Sequence, residues 1–178
     1  MGTLITEAEF ADQLRTFDRT ALRLELQSEY REPAEHDTVS RFLYGTPQPP
    51  TEVAELRDWF EQVATLTRAG KRIARVRVHD DPPTDYQRWE RWIGRWNTTA
   101  GEQIDYLTRQ QATDIGLLPA AGDVDWWLID DNRVILMRFD PDGRRISNEL
   151  ETDPQTVAQA RAWWDLAVRS RKREGDAA

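Results

Sequence analysis

Arg75, Arg77 and His79 alternate along KRIARVRVHDDPP, and Tyr86, Glu90, Ile93 and Asn97 follow at i, i+4, i+7 and i+11, the spacing of one helix face. Glu102 comes directly after Gly101, where the helical pattern breaks. A strand bearing two guanidiniums, followed by a helix bearing a carboxylate and an amide, can build a polar cleft at their junction. There the arginines would clamp an anion, and a carboxylate whose pKa is displaced by neighbouring charge would act as a general base. The same residues are equally suited to surface ion pairs, which contribute little.

Eight tryptophans stand at 59, 89, 92, 96, 126, 127, 163 and 164. Trp89, Trp92 and Trp96 share a helix face at i, i+3 and i+7. Such a stripe can stack nucleobases or anchor a partner. Its commoner use is core, and the spacing predicts at least two of the three buried against a sheet.

Other chemistry is largely excluded. Without cysteine there is no disulfide, thiolate metal site or cysteine nucleophile, and His36 and His79 alone do not make a histidine-rich metal site. The acidic run Asp123, Asp125, Asp130, Asp131, Asp140 and Asp142 lacks the twelve-residue calcium loop with its terminal Glu, so it reads as turn chemistry. There is no nucleophile elbow, glycine-rich phosphate loop or HExxH. No metal and no cofactor is expected. A net charge of −8 opposes nonspecific coating of duplex DNA, and the basic end Arg169, Arg171, Lys172 and Arg173 suits the C-terminal pole of a helix.

The elements that must position these residues follow from periodicity. Residues 6–17 read as a helix behind the capping box Thr6/Glu9, and TALRLELQSEY alternates Leu22, Leu24 and Leu26 with polar residues as a half-buried strand. A short helix at 34–44 ends at Gly45 and TPQPP; a longer one over 51–69 ends at Gly70. Strands are expected near 73–79 and 103–107, with a helix at 84–97 between them. The segment 109–123 reads as a loop with one helical turn, 126–150 as a three-stranded meander, and 154–170 as a last helix opened by Pro154. The whole is one α+β domain over 1–172, with a mostly antiparallel sheet of about six strands, helices packed on one face, and a disordered tail at 173–178. The first residues carry no basic, apolar leader and no window is long enough to span a membrane, so a cytoplasmic location is expected. Only Lys71 and Lys172 of 24 basic residues are lysine, a bias of GC-rich coding that points to a high-GC bacterium.

Two blocks, RVRVHDDPPTDYQRWERWIGRWNTTAGEQIDYL and DWWLIDDNRVILMRFDPDGR, resemble the signature blocks of an actinobacterial domain-of-unknown-function family, number 6879, over about residues 20–171. The first is the more specific, with Arg75, Arg77, Asp85, Tyr86, Arg88, Glu90, Asn97 and Glu102, and these eight form the candidate polar cleft. The extra tryptophans at 89, 92 and 96 depart from the family's pattern. The resemblance implies no established activity, but genes of such proteins often lie beside helix-turn-helix regulators. A regulatory or interaction protein acting with a DNA-binding partner is therefore the leading expectation. The alternative is an enzyme or ligand-binding protein that recognises a phosphate-bearing small molecule or a nucleic-acid end through the cleft.

Overall fold

The structure, a computed structural model, describes residues 2–175, with side chains to residue 169. Its elements in chain order are β1 (Thr3–Ile5), α1 (Glu7–Thr16), β2 (Thr20–Glu25), α2 (His36–Leu43), α3 (Ala54–Arg68), β3 (Arg72–His79), α4 (Asp85–Ala100), β4 (Gln103–Thr108), α5 (Arg109–Asp114), β5 (Asp125–Ile129), β6 (Arg133–Phe139), β7 (Arg145–Glu151) and α6 (Pro154–Gly175). Short 3-10 turns at Pro33–Glu35 and Pro50–Glu52 precede α2 and α3. The expected tail begins within the end of α6, and residues 176–178 lie outside the described residues. No helix among the described residues is long and apolar enough to cross a membrane.

All seven strands form one mixed sheet in the order β1-β7-β6-β5-β2-β3-β4. Antiparallel pairing runs from β1 to β2, as the meander predicts. The pairs β2/β3 and β3/β4 are parallel, so the sheet is mixed while remaining mostly antiparallel, as expected. The reason is connectivity: each pair is joined by a helical crossover, α2 and α3 in one case and α4 in the other, and a crossover returns the chain in the same direction.

Helices cover both faces, where one was expected. Leu22, Leu24, Val76, Trp126 and Leu128 pack with Trp164 of α6 and Ala112 of α5 on one face. On the other, Ile73, Trp127, Ile129 and Ile135 pack with Phe10 and Leu14 of α1 and Val63 and Leu66 of α3. Adjacent strand residues point to opposite faces, so burial of both Trp126 and Trp127, each 1% exposed, requires a sheet covered on each side. At several kcal/mol for fully enclosing such large side chains, this pair is a principal reason the two layers stay closed.

Only Trp89 of the helical tryptophan stripe is fully buried. Trp92 and Trp96 are half-buried and lean on each other at 4.8 Å between ring centroids, with Phe42 of α2 at 5.5 Å from Trp92. The expectation of two buried against the sheet is thus not met, because the stripe that faces the sheet is Tyr86, Glu90, Ile93 and Asn97 together with Trp89. The other two hold α2 in place instead.

Candidate functional site

The polar half of β2 and β3 is buried. Parallel register sets Arg23 beside Arg75 and Glu25 beside Arg77, while antiparallel pairing sets Trp127 on the other side of Arg23. Above this row lies α4, started by the capping box of Thr84 and Gln87. It is stopped by Gly101 in the left-handed conformation, φ 107°, which turns the chain so that Glu102 drops under the helix end.

The resulting ion network has few loose ends. Glu25 Oε1 accepts from Arg75 Nη1 at 3.1 Å and faces Arg23 Nη1 at 3.1 Å, and Oε2 accepts from Arg77 Nε at 2.6 Å. Arg75 Nε donates to Glu102 at 2.5 Å, and Asn97 Nδ2 donates to the second Glu102 oxygen at 2.6 Å. Arg77 Nη1 donates to the Glu90 carbonyl oxygen, with the Glu90 carboxylate 3.4 Å from its Nε. Because Arg91 Nε donates to His79 Nδ1, the His79 proton resides on Nε2 and points at Glu90 Oε2, 3.2 Å away. Burial would push the Glu25 carboxyl up, but Arg23, Arg77 and Arg75 together hold it well below the usual carboxylate range.

Two carboxyls at the margin behave oppositely. Asp125 Oδ2 accepts from Tyr30 O–H at 2.5 Å and Oδ1 from the Leu26 N–H, yet burial dominates and raises it to about 6. Glu35, just before α2, accepts from Tyr86 O–H at 2.6 Å, and burial, with Glu90 and Glu32 nearby, raises it to about 7. The Tyr86–Glu35 bond ties the segment leading into α2 down onto α4.

Between the sheet, α3, α4 and this segment is a cavity of about 260 Å³. Its aromatic walls include Trp59, Trp127, Tyr30 and Tyr86. The Arg75 guanidinium lies 5.9 Å from the Trp59 ring and 5.8 Å from Trp127, and Arg23 lies 5.6 Å from Trp127 and 5.7 Å from Tyr30, so the cations are sandwiched as well as paired. Three N–H donors of lining residues, Trp89 Nε1, Trp127 Nε1 and Arg23 Nε, have no acceptor from the protein. These three atoms are themselves enclosed, as is the equally unpartnered Trp126 Nε1 on the other face of the sheet, so they do not open onto the cavity.

Of the eight candidate cleft residues, Arg75, Arg77, Tyr86, Glu90, Asn97 and Glu102 converge here. Asp85 and Arg88 do not: they pair with each other at 2.5 Å on the exposed side of α4. Arg23, Glu25, Asp125, Tyr30, Glu35, Trp59 and Trp127 were missed as site residues. The alternation of β2 carries Arg23 and Glu25 on the same side as Arg75 and Arg77, and the Trp126-Trp127 doublet betrays a sheet covered on both sides. Those were the available signals. Asp125, read as turn chemistry, is instead fully buried at the start of β5. Asp130 does serve a turn, accepting from the N–H groups of Asp18, Arg19 and Thr20. Among the described residues no group of acidic or histidine side chains is arranged to hold a metal ion.

The family model described as "Domain of unknown function (DUF6879)" matches residues 8–171. No curated protein matches the sequence.

Proposed function

The chain belongs to the DUF6879 family, a domain of unknown function, and from its site we propose that it is a ligand-binding protein that encloses a small organic molecule in the cavity between the sheet, α3 and α4. What carries this reading is an aromatic-walled cavity of about 260 Å³ beside a buried ion network whose charges hold one another rigid. Pockets of this make-up, apolar walls with a few fixed polar groups, are where small molecules bind. Paired charges also explain how the site stays folded when empty, since each buried guanidinium already has a carboxylate.

A regulatory role fits the same reading. Glu35, bonded to Tyr86 beside the cavity, leads directly into α2, and the far end of α2 exposes Leu43 at 44% and Tyr44 at 85%. Occupancy of the cavity would be felt by α2 and read there by a protein partner, with a helix-turn-helix regulator as the candidate. The arginine-rich, lysine-poor composition supports a high-GC bacterium such as an actinobacterium as the source.

Thermal-shift screening against a metabolite library tests the binding. A ligand present at 100 times its Kd stabilises by about 2.7 kcal/mol, which for a chain of this size is a rise of roughly 5–10 °C in Tm. The reading expects at least one such compound. It fails if no compound moves the transition.

A further inference from the structure

The ion network leaves part of its capacity unused, and that remainder lies on the cavity. Nε and Nη1 of both Arg75 and Arg77 are bonded to Glu102, Glu25 and the Glu90 carbonyl, but Nη2 of each has no partner in the protein. Neither Nη2 is among the enclosed unpartnered atoms, so the 6% and 5% of surface that these residues keep includes those nitrogens. Both residues line the cavity, and as alternate residues of β3 they present their guanidiniums on one face of the sheet. Two such donors from one wall make a seat for an oxyanion head group, and using them breaks none of the bonds already made.

Another wall offers the complementary charge. Glu35 is half-buried and gives only Oε2 to the Tyr86 O–H, at 2.6 Å; its other oxygen has no protein donor. Burial, with Glu90 and Glu32 nearby, raises its carboxyl to about 7, and the charge of Arg77, felt but not paired, does not offset them. That is the behaviour of a buried acid short of a cation. With four arginines and five glutamates the lining is nearly balanced, which suits a molecule bearing one charge of each sign. The remaining walls include Leu56, Trp59, Phe60, Tyr86 and Ile93, and a cavity of about 260 Å³ falls just below the range for drug-sized ligands.

Resting on the ligand-binding reading above, we propose that the cavity takes a free α-amino acid with a large apolar side chain. Its carboxylate accepts from Nη2 of Arg75 and Arg77, its ammonium donates to the open oxygen of Glu35, and its side chain lies against the apolar and aromatic walls. A phosphate group would meet the same two donors, yet it brings a second negative charge beside Glu25 and Glu90 and leaves Glu35 without a cation.

Isothermal titration of the full chain with L-leucine, L-phenylalanine and L-tryptophan tests the class, with the N-acetyl and decarboxylated derivatives of each and inorganic phosphate as comparisons. At least one amino acid is expected to bind saturably, and its two derivatives, each lacking one charge, roughly tenfold or more weakly. Glu35→Gln keeps an acceptor for Tyr86 but loses the charge and is expected to weaken binding by a similar factor, while Trp163→Phe, on the opposite face of the sheet, leaves affinity unchanged. The derivatives decide the matter on the wild-type chain if Glu35→Gln does not fold. A derivative or phosphate that binds as tightly as any of the amino acids overturns the class and leaves the ligand-binding reading standing. Silence from every compound also overturns the class, and the reading beneath it falls only if the metabolite library is silent too. Amino-acid binding that Glu35→Gln leaves intact overturns the proposed site.

Discussion

Arg75 is held between two carboxylates from different elements, donating through Nε to Glu102 at 2.5 Å and through Nη1 to Glu25 at 3.1 Å. Glu25 in turn meets Arg23 and Arg77, so a single carboxylate neutralises the centre of three guanidiniums. Glu25→Gln leaves that cluster with uncompensated positive charge in a buried setting. The expected loss is about 3–5 kcal/mol in urea denaturation, against a smaller loss for Glu90→Gln, whose backbone carbonyl still accepts from Arg77.

Stability should depend on pH through Glu35. Its folded pKa, about 7, lies above the ordinary value of 4.5, so the folded state holds the proton more tightly than the unfolded one. The contribution is present at low pH and lost as pH rises from about 4.5 through 7. Glu35→Gln keeps an acceptor for Tyr86 and cannot ionise. The stability difference between wild type and variant should therefore move against the wild type by roughly 1–3 kcal/mol from pH 4.5 to 8, the lower figure reflecting partial solvent screening. Glu25 acts with the opposite sign, because its pKa is depressed, and its contribution is lost only in acid.

Asp130 accepts from three consecutive backbone N–H groups at 2.7–3.0 Å and locks the β5–β6 turn to the start of β2. These bonds hold its pKa below the ordinary value, although burial alone would raise it. Asp130→Ala strips all three donors of their acceptor and is expected to cost about 1–3 kcal/mol by thermal or chemical unfolding.

Gly101 combines a left-handed backbone with close approach: a Cβ added there would lie 2.6 Å from Thr67 Oγ1. Gly101→Ala is expected to destabilise by roughly 1–3 kcal/mol. It should also loosen the Asn97–Glu102–Arg75 chain, read as faster exchange of the Glu102 amide, which donates to the Asn97 carbonyl.

How far the sequence revealed this arrangement depends on whether a local signal existed. The Thr6/Glu9 capping box, the Gly101 stop and the turn residues of the meander are local, and the elements lie where they indicate. The strand–helix–strand spacing implies an ion pair of Glu90 or Glu102 with Arg75, Arg77 or Arg88 without saying which, and the fold makes it Glu102 with Arg75 and Glu90 with Arg77. Burial of Arg23 and Glu25 was hidden, because charged residues alternating with leucines look the same in a strand facing water as in one facing a polar cavity. The parallel direction of β3 and β4 was implied by the helices between them and was outweighed by the antiparallel meander. Strand β1 has three residues, too few for a periodicity to show.

The most direct measurement is an ¹⁵N correlation spectrum of the indole N–H groups, one for each of eight tryptophans, assigned with single Trp→Phe variants and titrated with the compound giving the largest thermal shift. The account predicts that the signals of Trp89 and Trp127, whose rings line the cavity, move on binding, while Trp126 and Trp163, across the sheet, stay in place. Saturable binding that shifts Trp126 or Trp163 and leaves Trp89 and Trp127 unmoved would contradict it.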